Sequence, residues 1–231
     1  MVFSVIKNFT ETHCKNISFL LAYRTLTSTD LPTVRDVWAL DSKQLWKPQD
    51  KCGVYQSDYF SVQRLVTHSE QMSTDDLFHY SLTAYFLSEI IRLTKFLPEL
   101  WSDTSDEIQK RMAALLLRHI QQMICNAQTI SINEANQCEE LINDDQNDMN
   151  TRFASAIFPT CALMNHSCVP NIRCIFDQGF LHVQTARRIR KGEEILNCYG
   201  PQKSLMPSTE QRRSILSEQY FVRSSSNTLF E

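Results

Sequence analysis

In the first half of the chain apolar positions recur at three- and four-residue steps. In the second half they alternate, so helices are expected before strands. Ser73-Thr74-Asp75-Asp76 sets a capping hydroxyl and two carboxylates at the positive end of a helix, and Leu77, Tyr80, Ala84, Leu87 and Ile91 follow at helical spacing. Pro98 is expected to end that helix. A second helix opens near Ser105-Asp106-Glu107 and carries Ile108, Met112, Leu115, Leu116, Ile120, Met123 and Ile124 along one side. Together the two predict an antiparallel pair with a short connection. Ile17 to Leu26 gives a shorter helical pattern. Leu31 to Cys52, rich in Pro, Asp and Ser, reads as a loop, as does the acidic, aperiodic Asn143-Asp144-Asp145-Gln146-Asn147-Asp148.

Beyond that acidic stretch the period changes to two. Ile172, Cys174 and Phe176 alternate with Arg173 and Ile175, Asp177-Gln178-Gly179 turns the chain, and Leu181, Val183 and Thr185 alternate again, which predicts a hairpin. Arg190-Lys191-Gly192-Glu193 is a further turn leading into a strand from Ile195 to Tyr199. Ser208-Thr209-Glu210-Gln211 has capping-box spacing and opens a last helix with Ile215, Leu216 and Tyr220. Helices first and short strands afterwards predict an α+β fold rather than alternating α/β.

Composition narrows the functional classes. With 231 residues the chain is long enough to bury a core without disulfide staples, and its net charge of -3 leaves no basic excess for general nucleic-acid binding. Arg187-Arg188-Ile189-Arg190-Lys191 reads as a solvated strand end and turn. Charges at Glu89, Arg92, Lys95 and Arg111 interrupt the apolar runs, and the first residues lack the pattern of a signal peptide, so a soluble chain with no membrane span is expected. Eight scattered cysteines (14, 52, 125, 138, 161, 168, 174, 198) favour reduced thiols in cytoplasm or nucleus, which would leave the sequons at Asn8, Asn16 and Asn165 unused. The six histidines have no metal-hydrolase spacing.

Two spaced motifs carry the candidate chemistry: Asn165-His166-Ser167-Cys168-Val169-Pro170-Asn171, and Gly192-Glu193-Glu194-Ile195-Leu196-Asn197-Cys198-Tyr199-Gly200. The pair resembles the C-terminal signature of SET domains, in the spelling of the SET and MYND domain family of protein-lysine methyltransferases. The resemblance implies a partial SET β-fold with a helical insert. It divides the chain into a possible MYND remnant at 1–16, the insert at 17–124, the C-terminal half of the SET core at 125–201, and a post-SET helix and tail at 202–231. Tyr55-Gln56-Ser57-Asp58-Tyr59 through Thr67-His68 and Asp76-Leu77-Phe78-His79-Tyr80 resembles the branch with tetratricopeptide repeats upstream.

The resemblance also implies roles. Asn165, through its side chain, and His166, chiefly through its backbone, would hold S-adenosyl-L-methionine, and Tyr199 would be the catalytic phenol at the inner end of the lysine channel. Tyr220 would help wall that channel. Ile124-Cys125-Asn126-Ala127 resembles a segment whose Asn also touches the cofactor, which makes Asn126 the third cofactor candidate. The residues alone also allow plainer roles: an Asx-turn before Pro170 with a core histidine, a helix-terminal Asn126 in left-handed conformation, and a Tyr220 that merely packs. Cys168 matches a family zinc ligand whose three partners would come from a Cys-x-Cys-x2-Cys run after the Tyr-Phe pair. Here the chain reads Val222-Arg223-Ser224-Ser225-Ser226 after Tyr220-Phe221, so no zinc is expected and Cys168 reads as a buried apolar thiol.

The family's Gly-rich cofactor segment and its MYND module have no counterpart in the sequence either, so a truncated form is expected. Two functions are therefore open: a lysine methyltransferase acting on a protein substrate, weak or inactive as this isolated chain, or a noncatalytic SET-remnant adaptor that binds protein partners.

Overall fold

The computed structural model describes residues 18–39, 55–94, 96, 106–131, 152–177 and 180–222. The chain divides into two compact units, Met1–Ala127 and Gln128–Glu231. Together they make an α+β protein, helical in the first unit and built of short strands and helices in the second.

The first unit contains α1 (Ser18–Thr27), α2 (Leu31–Ala39), α3 (Tyr59–Gln63), α4 (Thr74–Leu93) and α5 (Asp106–Asn126). Both α1 and α4 pack on α5. The interior is formed by Phe19, Ala22, Leu26, Leu87, Ile91, Met112, Leu116, Ile120 and Met123, which the helical spacing placed on facing sides. Ser73 caps α4 by accepting from the Asp76 N–H at 3.1 Å. The Gln109 amide reaches the Glu89 carboxylate, so the end of α4 meets the start of α5 and the pair is antiparallel. Helix α4 ends at Leu93 with Thr94 as its C-cap; the expected stop at Pro98 lies outside the described residues, as do 1–17 and 143–148.

Helix α2 corrects the expectation of a loop from Leu31 onward. Asp30 takes the Thr33 N–H on Oδ1 at 2.9 Å and the Thr33 hydroxyl on Oδ2 at 3.0 Å. Pro32 stands in the first turn, where its missing N–H is not required, while Val34 and Val37 supply a buried face. Averaging composition across Leu31–Cys52 hid this start signal. Residues 40–52 lie outside the described structure.

A buried polar knot fastens α3 to α5. The Gln122 amide donates to the carbonyls of Val62, Leu65 and Gln63 at 2.8, 3.0 and 3.1 Å, and its Oε1 lies 2.9 Å from His119 Nδ1. Burial pushes the His119 imidazole down to about 4, so the ring is neutral near pH 7. Its proton sits on Nδ1, facing Gln122, which leaves Nε2 to accept from the Tyr59 hydroxyl at 2.8 Å and the Gln63 amide at 3.2 Å.

The second unit holds β1 (Gln128–Ser131), β2 (Arg152–Ala156), α6 (Pro159–Ala162), β3 (Asn165–His166), β4 (Ile172–Asp177), β5 (Phe180–Thr185), β6 (Leu196–Asn197) and α7 (Thr209–Tyr220). They form three two-stranded sheets: antiparallel β1–β2, parallel β3–β6, and the expected antiparallel hairpin β4–β5 with Ile172 opposite Thr185 and Cys174 opposite Val183. Unlike a half-buried strand, β5 is exposed at Phe180 and Val183. Ser208 caps the last helix by accepting from the Gln211 N–H at 3.4 Å, and the turn at Gly192 has φ 83°. Inside α7, Arg212 is fully buried and donates to the carbonyls of Met206 and Pro207, both at 2.6 Å. Among the described residues no helix is long and apolar enough to cross a membrane.

Substituting Gln122→Leu would remove one hydrogen bond from each of the Val62, Gln63 and Leu65 carbonyls and from the His119 N–H, while Val62 keeps the Leu65 N–H and Gln63 keeps Arg118. The predicted loss is about 2 kcal/mol, read from the urea midpoint of the helical signal. Because His119 is held neutral, the unfolded chain binds the extra proton. Its contribution is therefore complete above pH 6.5 and is lost as pH falls toward 4, by about 1.4 kcal/mol per pH unit. Urea titrations at pH 7 and pH 5 check the sign.

Candidate functional site

The site is built where the loop after β3 lies along the chain around β6. Pairing Asn165 with Leu196 and His166 with Asn197 sets the register, and the Ser167 N–H donates to the Asn197 carbonyl at 2.7 Å. Asn171 then locks the other end of the loop. Its side-chain N–H donates to the Glu194 carbonyl and its Oδ1 accepts the Leu196 N–H, both at 2.8 Å. Its backbone N–H reaches the Leu196 carbonyl at 3.3 Å, and its carbonyl accepts from Ala186 at 2.9 Å. The residue is fully buried with both ends of its amide occupied.

The strand predicted from Ile195 to Tyr199 is only two residues long, because side chains take the next two backbone donors. Cys198 N–H goes to Asn197 Oδ1 at 2.8 Å, and Tyr199 N–H goes to His166 Nδ1 at 3.0 Å. That second bond fixes the histidine's tautomer. Burial, helped by Arg212, holds His166 down at about 4, so the ring is neutral; with Nδ1 accepting, its proton lies on Nε2, 3.2 Å from the Cys168 sulfur. Cys168 itself is buried and packs with Leu216, Tyr199, Tyr220 and Val222. No cluster of three or more potential metal-binding His, Cys, Asp or Glu occurs among the described residues.

Tyr199 gives its hydroxyl proton to the Met164 carbonyl at 2.7 Å, one residue before Asn165. Its ring lies between those of His166 and Tyr220, each with a centroid separation of 5.2 Å, and the Tyr220 hydroxyl donates to the Tyr199 carbonyl at 2.6 Å. Burial raises the Tyr199 phenol above its ordinary value, assisted by Cys161, Tyr220 and Glu194, so it stays protonated at neutral pH. Its oxygen thus donates once and keeps its lone pairs.

Asn165 is exposed, and its amide N–H reaches Glu194 Oε1 at 2.6 Å. It forms no Asx-turn. The local turn belongs to Ser167, whose Oγ accepts from Val169 at 3.1 Å, and His166 is a core histidine as the plainer reading had it. Asn165, His166, Tyr199 and Tyr220 therefore share one neighbourhood. Asn126 belongs to the first unit, where its amide caps α5 by donating to Gln122 at 2.8 Å and to Val66 at 2.9 Å. Its backbone is not left-handed.

Asn171 and Glu194 were present in the two motifs but carried no assigned role. The available signal was an Asn directly after Pro170, a residue type that satisfies neighbouring backbone when buried. The basic run at 187–191 is an exposed turn, as expected, with Arg187 paired to Glu193 at 2.6 Å. This arginine and the Arg190 N–H hold the Glu193 carboxyl down at about 2.

The SET domain family matches residues 34–200. The chain belongs to the SET domain family. Protein-lysine N-methyltransferase SMYD4 of Mus musculus is 35% identical over 183 residues, covering 73% of this chain and 22% of that protein. The Homo sapiens SMYD4 is 31% identical over 188 residues, with the same 73% and 22% coverage. N-lysine methyltransferase SMYD2 of Homo sapiens is 38% identical over 71 residues, 31% of this chain and 16% of that protein. This SET chain thus spans about a fifth of the length of the SMYD4 relatives it matches.

Replacing Asn171 by Ala removes two buried hydrogen bonds and leaves the Glu194 carbonyl and Leu196 N–H without them. The expected cost is about 2–3 kcal/mol, which corresponds to about 30- to 150-fold faster amide exchange at Ser167, Leu196 and Tyr199 wherever exchange proceeds by local opening. Hydrogen-exchange mass spectrometry measures it.

Proposed function

We propose that this SET chain carries the cofactor-binding and catalytic residues of a protein-lysine N-methyltransferase, with Asn165 and His166 at the cofactor and Tyr199 at the methyl-transfer point. The observation that carries this reading is the Tyr199 hydroxyl fixed on the Met164 carbonyl, immediately before Asn165 and His166. On the same reading residues 17–124 are the insert, 125–201 the second half of the SET core and 202–231 the post-SET segment, while the proposed MYND remnant at 1–16 lies outside the described residues.

The donor set fits S-adenosylmethionine. Asn165 is exposed, and with its N–H on Glu194 its amide oxygen is the acceptor available to an α-ammonium, with the Glu194 carboxylate alongside. When bound, S-adenosylmethionine supplies an electrophilic methyl group on a sulfonium. A neutral His166 adds no charge beside that sulfonium, which a protonated imidazole would repel. Free lysine has a pKa of about 10.4, so the attacking amine must first be stripped of a proton. The half-buried rings of Tyr199 and Tyr220 favour the neutral amine by desolvation, and the Tyr199 oxygen, with its proton held by Met164, accepts from the amine and aims its lone pair. As a protonated phenol at neutral pH, Tyr199 orients; it is not a base.

A partner-binding role is favoured by a different observation: Phe78, Leu82 and Tyr85 are exposed at four- and three-residue steps along α4, with Leu93 farther on. The two functions separate experimentally. The 231-residue chain is expected to bind S-adenosylmethionine weakly, to hold less than one zinc and to show no turnover. A version extended at both ends is expected to methylate protein lysines and to lose about 100-fold in rate on Tyr199→Phe. Calorimetry, metal analysis and a labelled-methyl assay test these expectations. An extended chain that keeps full activity as Tyr199→Phe removes Tyr199 from its role. One that neither binds the cofactor nor turns over, but loses a protein partner on Phe78→Ser, establishes the adaptor.

A further inference from the structure

The methyl-transfer reading leaves a pair of thiols behind β6 without a use. Cys161, on α6, and Cys174, on β4, are 13 positions apart, yet their sulfurs lie 3.9 Å from one another. Cys161 is buried and Cys174 half-buried. The Gln128 amide donates to the Cys161 sulfur at 2.9 Å. Asn197 sits against both thiols, its N–H 3.7 Å from the Cys161 sulfur and its Oδ1 3.7 Å from the Cys174 sulfur. That same Oδ1 accepts the Cys198 N–H, and the Asn197 carbonyl accepts the Ser167 N–H.

We propose that Cys161 and Cys174 are a redox modification site, a dithiol that hydrogen peroxide closes to a disulfide, and that closure loosens the β3–β6 ladder through Asn197. A disulfide requires the sulfurs to approach from 3.9 Å to about 2.05 Å. Amide and thiol donors converging on the Cys161 sulfur favour its thiolate. Led by the Cys174 hydrogen bond and opposed by burial, they bring it down to about 7. Burial instead pushes Cys125 up to about 12 and also raises Cys198, so neither competes as a nucleophile.

The chemistry balances in two steps. The thiolate attacks one peroxide oxygen, the O–O bond breaks, and sulfenic acid and hydroxide result. The second sulfur then displaces the sulfenic hydroxyl, forming the S–S bond; the two thiol protons end in water, the cysteines are oxidised and peroxide is reduced to two waters. Closure removes the one Cys174 S–H, which the Cys161 sulfur and Asn197 Oδ1 share, and moves the Cys161 sulfur from its place beside the Asn197 amide. The strand that sets Asn165, His166 and Tyr199 in register thereby loses two of its side-chain contacts.

The test uses the full chain, reduced and then treated with a small molar excess of hydrogen peroxide, alkylated and mapped without reduction. The expected product is a Cys161–Cys174 cross-linked peptide pair with the loss of two hydrogens, reversible by dithiothreitol, while Cys125 and Cys198 remain alkylated. Amide exchange at Ser167 and Asn197 is expected to rise about tenfold on closure and to return on reduction. Free, alkylated Cys161 and Cys174 after peroxide would overturn the proposal, as would a link from either to another cysteine. A correct link with unchanged exchange would overturn its effect on β6. Cys174→Ser is expected to abolish the link and leave a Cys161 sulfenic acid that dimedone traps; the mapping of the unsubstituted chain decides the matter even where that variant does not fold. Because neither readout uses cofactor or turnover, the pair is tested independently of the methyltransferase reading.

Discussion

The geometry of the second unit depends on the buried side chain of Asn171. One primary amide satisfies a carbonyl at Glu194 and an N–H at Leu196, two residues apart on the same segment, and only a group with a donor and an acceptor on one planar end does both. A carboxylate would lack the donor, and an apolar residue would leave two buried backbone groups unmet. With Asn171 in place the loop from Asn165 onward lies along the chain from Glu194 to Tyr199. Two residues of parallel strand then suffice where a longer ladder would ordinarily be needed.

The Asn171 lock has electrostatic as well as geometric consequences. Bringing Tyr199 beside the loop delivers its N–H to His166 Nδ1, which selects the Nε2–H tautomer of an imidazole that burial and Arg212 keep neutral. The rings of His166, Tyr199 and Tyr220 then meet in series, tilted by 56° and 46°, and α7 packs on them through Leu216. The first unit uses the same device elsewhere. Gln122 meets three carbonyls of the α3 region and fixes the His119 tautomer, so each unit is fastened by a buried side-chain amide. Such networks cost a great deal when partly satisfied, which makes them effective at selecting one arrangement.

Helices α1, α4 and α5, the β4–β5 hairpin and α7 were legible in the sequence, because each is specified locally by its cap and its apolar period: Ser73 with Leu87 and Ile91, Met112 with Ile120, Ser208 with Leu216. The loop expected from Leu31 was wrong at its start for an equally local reason, since Asp30 and Pro32 are start signals that a composition average conceals. At the site, Asn165, His166, Tyr199 and Tyr220 were identified through a motif resemblance and do lie together. The partner of each was not legible. That Tyr199 would meet Met164, or Asn165 meet Glu194, depends on a parallel pairing between segments about thirty positions apart.

The sequence by itself thus determined the succession of long helices and then short strands, the α+β class and, through two spaced motifs, membership of the SET domain family. Caps, periodicity and motif spelling act over a few residues, and a few residues are enough to read them. Only the tertiary structure decided which donor meets which acceptor: the shortening of β6 by side-chain competition for its N–H groups, the tautomer of His166, the placing of Asn126 as a helix cap, and the meeting of Cys161 with Cys174. Those outcomes depend on burial and on long-range register, in which a shift of one position would exchange every partner, and no local pattern encodes them.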